Sequence, residues 1–200
     1  MLIRTLAAAA LLALGGNALA QDFTIKLGIH QVEPRSDNGH LAGGALHSDV
    51  GGDWRPSLQL EYFLNPHWGV ELLAAAPFKH TVRLNGANAA EVSQLPPTVS
   101  LQYHFNPGGR VSPFVGLGLN YTAFFDVHER GPLAGSQLTL GKSWGAAAHA
   151  GIDVALSGKW LFSADLHWLD IDTEARVNGA KVGTVRIDPL AYGIALGYRF

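Results

Sequence analysis

From Phe23 onward the chain alternates apolar and polar positions with period two. Phe23, Ile25, Leu27 and Ile29 are separated by Thr24, Lys26, Gly28 and His30. Leu58, Leu60 and Tyr62 alternate with Ser57, Gln59 and Glu61, and Val99, Leu101, Tyr103 and Phe105 with Thr98, Ser100, Gln102 and His104. This pattern predicts strands with one apolar and one polar face. Five further segments read the same way, over residues 70–78, 115–121, 144–154, 160–168 and 190–200. In the first of these, Val70, Leu72, Ala74, Ala76 and Phe78 fall on one face and Glu71, Leu73, Ala75 and Pro77 on the other. Eight strands are predicted, with no helical periodicity longer than a turn or two.

The connections alternate as well. Asn65-Pro66-His67, Asn106-Pro107-Gly108-Gly109 and Ser157-Gly158-Lys159 are tight turns built from turn-forming residues. Between them lie long segments, at 33–54, 79–94, 126–143 and 171–184, read as loops. Short turns at one end and long loops at the other put both termini on the short-turn side, the shape of a bacterial outer-membrane barrel.

Alternation alone does not say which face looks outward; a soluble barrel would bury the same apolar residues. Trp68, Trp144, Trp160 and Trp168 sit at strand ends on the apolar face, as interfacial aromatics do, and Phe63, Tyr62, Tyr103, Phe105, Tyr121 and Tyr198 lie near the same two levels. The opposite face is rich in Gly and Ala, which suits a narrow interior. The apolar face is therefore read as lipid-facing. Closure then pairs every backbone group within lipid and leaves no edge strand.

Composition narrows this further. Charged residues are 15% of the 200, below the roughly 25% of soluble domains. A net charge of −2 with no basic run argues against nucleic-acid binding. Residues 1–20 read as a cleaved signal peptide, with Arg4, a short apolar run over 6–14 and Ala18-Leu19-Ala20 at the cut, leaving 21–200 as the barrel. With no Cys, the exported domain has no disulfide to hold it.

Several runs resemble the OmpW family of small outer-membrane barrels: GVELLAAAPFKH (69–80), QLPPTVSLQYHF (94–105), PFVGLGLNYTAFFD (113–126), KSWGAAAHAGIDVAL (142–156), LDIDT (169–173) and VRIDPLAYGIALGYRF (185–200). The resemblance spans essentially the whole mature chain in order. It implies an all-β, eight-stranded antiparallel transmembrane β-barrel with short periplasmic turns and four long extracellular loops, in the bacterial outer membrane. It also implies an apolar lumen lining near the outer half and passage of small hydrophobic compounds, with lateral release into the bilayer. It places Leu73 among the residues that constrict the lumen; family members can carry a bulky aromatic at the facing position, where this chain has His167. Tyr198 and the terminal Phe200 resemble the signal read by the outer-membrane insertion machinery.

The inner-face residues divide by polarity. Toward the long-loop end stand Leu73, Pro77, Phe124 and Leu169, with Ile171, and Pro96 and Pro97 at the rim; with His167 they form the expected constriction and ligand path. Toward the short-turn end Lys26, Glu61, Glu71, His104, Asp153, Asp165 and Arg199 form an expected polar plug. The reading is an apolar funnel open to the outside and closed below by charge, taking a small hydrophobic solute and surrounded by outer-membrane lipid. The alternative is a closed structural or loop-binding barrel, an adhesin or receptor without transport. Salt conduction is disfavoured because water-filled porins use about 16–18 strands. No spacing marks a catalytic dyad; Ser143 and His80 are the nearest approach to one. No cofactor or metal is expected: the loop histidines His40, His47, His80 and His128 match no zinc signature, and Asp170, Asp172 and Glu174 read as a solvated rim. The segment 131–141, with Leu133, Leu138 and Leu140, reads as a short turn over the barrel mouth.

Overall fold

The computed structural model describes residues 23–200; the signal segment and its cleavage site lie outside the described residues. The described residues form fifteen strands. Eight make the wall: β1 (Phe23–Glu33), β4 (Asp53–Phe63), β5 (Trp68–Ala75), β8 (Thr98–His104), β9 (Val111–Glu129), β11 (Ser143–Ala155), β12 (Trp160–Leu169) and β15 (Leu190–Arg199). Each pairs antiparallel with the next. The sheet closes where β15 meets β1, from Thr24↔Arg199 to Glu33↔Leu190. Phe200 donates its backbone N–H to the Phe23 carbonyl, so both ends of the wall meet at the short-turn side.

The outward face is the apolar one. Leu27, Leu117, Leu119, Leu166 and Ile194 are exposed, and Trp144 is 74% exposed. A soluble monomer does not display a continuous apolar belt of this kind. Trp68, Trp144, Trp160 and Trp168 all face out, Trp160 against Tyr198 and Trp144 against Tyr121. Phe63 differs from the expectation. It is in phase with Ser57, Gln59 and Glu61, and its ring is buried inside the lower lumen, 5.1 Å from that of His104.

The long connections are not loops. Seven more strands fold above the wall: β2 (His40–Leu41), β3 (Leu46–Val50), β6 (Phe78–Leu84), β7 (Ala87–Leu95), β10 (Leu138–Leu140), β13 (Asp172–Val177) and β14 (Ala180–Arg186). Two hairpins organise them, each with a two-residue Asn-Gly turn. Asn85 and Gly86 have φ of 49° and 82°, and Asn178 and Gly179 have 50° and 81°. This is the left-handed pair that a tight hairpin turn demands, and Asn-Gly adopts it most readily. The upper half of β9 continues through β7, β6, β3 and β2 as one sheet, while β10, β13 and β14 form a second, three-stranded sheet. Apolar side chains from both sheets meet in one core, with Leu41, Val50, Leu84, Val92, Ala175 and Val185 buried in it.

Candidate functional site: an apolar cap above a buried polar plug

The cap core encloses a cavity of about 60 Å³ lined almost wholly by carbon; His80, Gln94 and Thr173 are the polar side chains on its wall. Phe124, half-buried, forms part of that wall. Leu133 and Leu138 of the 131–141 segment are buried in the same core, and Leu140 packs against it. That segment forms part of the wall of the apolar chamber over the barrel mouth. Burial holds His80 below the ordinary imidazole pKa, and its Nδ1 lies 2.6 Å from the Gly51 carbonyl.

Leu169 and Ile171 carry the apolar lining down into the barrel mouth. Leu169 also borders a second, smaller chamber of about 20 Å³, shared with Leu73, Phe78, Val32, Pro96 and His30. Leu73 therefore does reach the lumen at the level where the cap ends. Pro77 does not: it is exposed, and Phe78 turns inward in its place, 2% exposed. The alternation read through 70–78 breaks at Ala76-Pro77, because β5 ends at Ala75 and β6 begins afresh at Phe78. Proline has no N–H to continue a ladder, so the strand phase is free to reset there.

At the same point the wall itself is interrupted. Hydrogen-bonded pairing of β5 with β8 stops at Leu73↔Thr98, and pairing resumes above only between β6 and β7, at Phe78↔Gln94. Between these lie residues 74–77 on one side and 95–97 on the other. Three of those seven are prolines, Pro77, Pro96 and Pro97.

Below Leu169 the lining changes from carbon to a hydrogen-bonded network. His30 is held between Ser57 Oγ and Asp165 Oδ1, 2.7 Å from each. Gln59 donates to Asp165 Oδ2 at 2.8 Å. Lower down, Gln102 Nε2 donates to Glu61 Oε1 at 3.0 Å, and His104 Nε2 lies 2.8 Å from the same oxygen. Lys26 Nζ reaches Asp153 Oδ1 at 3.0 Å and Glu61 Oε2 at 3.8 Å, and lies 4.8 Å from the centre of the Phe114 ring. Of the expected plug residues, Lys26, Glu61, Glu71, His104, Asp153 and Asp165 are all buried here. Arg199 stands apart at the lower mouth, over the Phe63 ring and beside a hollow of about 380 Å³ facing the short turns.

Several members of this network escaped the sequence reading, among them His30, Ser57, Gln59, Gln102, His149 and Phe114. All of these but Phe114 lie on the polar phase of their strands, so parity alone signalled them. Gly116 and Gly193 make room for the imidazoles. A Cβ on Gly116 would collide with the His149 ring, and one on Gly193 would sit 2.6 Å from His30. The acids of the rim do not converge: Glu174 pairs with Arg176 on its own strand and with Lys181 across the β13–β14 hairpin.

A closed wall with an apolar exterior, a plugged lumen and a folded apolar cap defines a small membrane-spanning β-barrel. The OmpW family model matches residues 20–200. The chain is 38% identical to outer membrane protein W of Salmonella typhimurium over 98% of both chains. Its fold is similar to the crystal structure of OprG from Pseudomonas aeruginosa, with a TM-score of 0.80 and 35% identity over 90% of this chain and 96% of that one. A more distant relative is the dibenzothiophene metabolism operon protein PahQ of Pseudomonas aeruginosa, 27% identical over 70% of this chain and 68% of that protein. The chain belongs to the OmpW family and is a bacterial outer-membrane protein.

Proposed function

We propose that this barrel admits small hydrophobic molecules from outside through its cap and releases them sideways into the membrane. The observation that carries the reading is a coincidence of level. The apolar lining ends on the buried polar plug just below Leu169, and the small chamber that Leu169 borders is also bordered by Ala74, Ala75 and Pro96, where the wall ladder is interrupted. An apolar solute gains about 0.8 kcal/mol per CH₂ on leaving water for the cap. Descending further would separate polar groups that have no other partners, a cost of several kcal/mol. The way out that disturbs least is the gap beside Ala74, Ala75 and Pro96, where backbone pairing is already missing. The association of PahQ with dibenzothiophene, a fused aromatic thioether, supports a solute of this class.

The partners on this reading are the solute, the surrounding outer-membrane lipid and the insertion machinery, which would recognise the last strand with Tyr198 and Phe200. No reaction is assigned to the barrel. Ser143 Oγ accepts the Asp172 N–H, and His80 pairs with Gly51, so each is engaged elsewhere. The competing reading, a closed barrel that works through its cap surface, draws support from the small size of the chamber at Leu73.

The test is uptake of an apolar fluorophore into liposomes carrying the barrel, against a solid-lumen eight-stranded barrel and the Leu73→Asp variant. Faster uptake, abolished by the substitution, is expected. A rate equal to that of the solid barrel would overturn the transport reading.

A further inference from the structure

The plug contains more buried carboxyl groups than its buried cation can pair. Glu61, Glu71, Asp153 and Asp165 are all buried, and Lys26 is the buried lysine or arginine facing them among the described residues. Glu61 and Glu71 stand directly opposite each other across β4 and β5. Like charges so placed repel, and low-dielectric burial enlarges that cost. Lys26 serves Asp153 and Glu61, and Asp165 is satisfied by His30 and Gln59. Glu71 is left over. It is 1% exposed, and its Oε2 has no hydrogen-bond partner.

Two histidines are left over beside it. His149 and His167 face each other across β11 and β12, with ring centres 4.7 Å apart. Gln102 fixes the state of the first. Its Nε2 donates to a carboxylate, so its Oε1 is the acceptor that takes the His149 Nε2–H, at 2.9 Å. The His149 Nδ1 lone pair is then free, and that atom has no partner. Neither ring nitrogen of His167 makes a well-aligned hydrogen bond, although the ring is 1% exposed and Asp165 Oδ1 lies 3.1 Å from its Nε2. Three buried side chains on three different strands, each with an unpartnered lone-pair or ring-nitrogen atom, would each carry a substantial desolvation cost if nothing bridged them.

We infer that Glu71, His149 and His167 form a site for one divalent transition-metal ion of the zinc type, set in the plug. One ligand atom from each residue lies within 4.8 Å of the other two. An ion centred among them would be at most about 2.8 Å from each, so side-chain shifts of about 0.7 Å reach the 2.0–2.1 Å of zinc coordination. Two imidazoles with one carboxylate are a known zinc donor set that leaves a position open. The surroundings match what ligating histidines require, a fixed acceptor for the second nitrogen. Gln102 Oε1 supplies it for His149, and Asp165 Oδ1 lies 3.1 Å from His167 Nε2. The ion would give the Glu71 carboxylate a cationic partner and tie three strands across the lumen. This inference does not depend on the transport reading.

The experiment uses the barrel extracted from outer membranes in detergent, stripped with chelator, then given Zn²⁺ alone and passed through a desalting column. One zinc per chain is expected to remain. Glu71→Gln and His149→Ala should each weaken binding at least tenfold, whereas a His40→Ala, His47→Ala double variant should bind as before. Retention of no zinc, or loss only in the His40, His47 variant, would overturn the site. Should the plug variants misfold, ring ¹⁵N signals of the wild-type protein decide. Zinc should shift those of His149 and His167, and unshifted signals would overturn the site equally.

Discussion

Leu169 and His167 stand two residues apart on the same face of β12, yet the space beside each is filled by opposite chemistry. Around Leu169 and above it, leucines, valines and alanines from two small sheets close on one another and leave a cavity of about 60 Å³. Around His167 and below it, imidazoles, amides and carboxylates fill the tube through specific hydrogen bonds. Apolar contact is non-directional, so the cap can part locally and lose only the area it uncovers. A buried polar network loses far more when one bond opens, because the abandoned partner keeps its desolvation cost. The cap is therefore suited to yield to a solute and the plug to resist one.

The sharpest way to break that comparison is Lys26→Met. It strands Asp153 and Glu61, and should destabilise the barrel by about 3–5 kcal/mol in equilibrium urea unfolding from vesicles. A loss under 1 kcal/mol would mean that the plug is softer than its bonding implies. Leu133→Ala, in the cap, should cost about 2–5 kcal/mol. Its signature should differ, with faster amide exchange confined to cap strands β6, β7 and β13 and the wall unaffected. Gly116→Ala pushes a methyl group into the His149 ring and should cost about 1–3 kcal/mol. A matching loss of the His149–Gln102 bond should be visible by imidazole NMR.

A smaller effect is expected from pH. Burial favours neutral His80 in the folded cap, so its folded pKa lies below the unfolded value of about 6.5. The stability it confers is complete above that unfolded value and declines as pH falls through it toward the folded pKa. Exchange of β6 amides, corrected for intrinsic rates, should rise between pH 7.5 and pH 5, and His80→Gln should remove the rise. Smallest of all, Arg35→Ala breaks a half-exposed ion pair with Asp188 and should change stability by about 0.2–1 kcal/mol.

The wall strands and their facing were legible because period-two alternation is a local property and the Trp positions mark its levels. The cap was legible in principle. Asn85-Gly86 and Asn178-Gly179, each flanked by alternating residues, are hairpin signals inside stretches taken for loops on length alone. Pro77 misled because a parity count assumes an unbroken strand, and the break falls at the proline. Phe63 misled in the opposite sense: its parity pointed inward, but aromatic character near a strand end suggested the girdle.

By itself, then, the sequence determined a barrel of eight strands, which residues face lipid, and which polar residues the lumen must hold. Those follow from the alternation of neighbours along one strand. Which lumen residues meet was decided only by closure. His149 and His167 meet across the β11–β12 hairpin, but Glu71, far away in the chain, joins them only because the closed ring brings β5 within reach of them across the lumen. The folding of four long connections into one apolar cap was likewise tertiary. Neither small sheet buries its apolar face alone, and only their meeting over the barrel mouth makes the core that closes it.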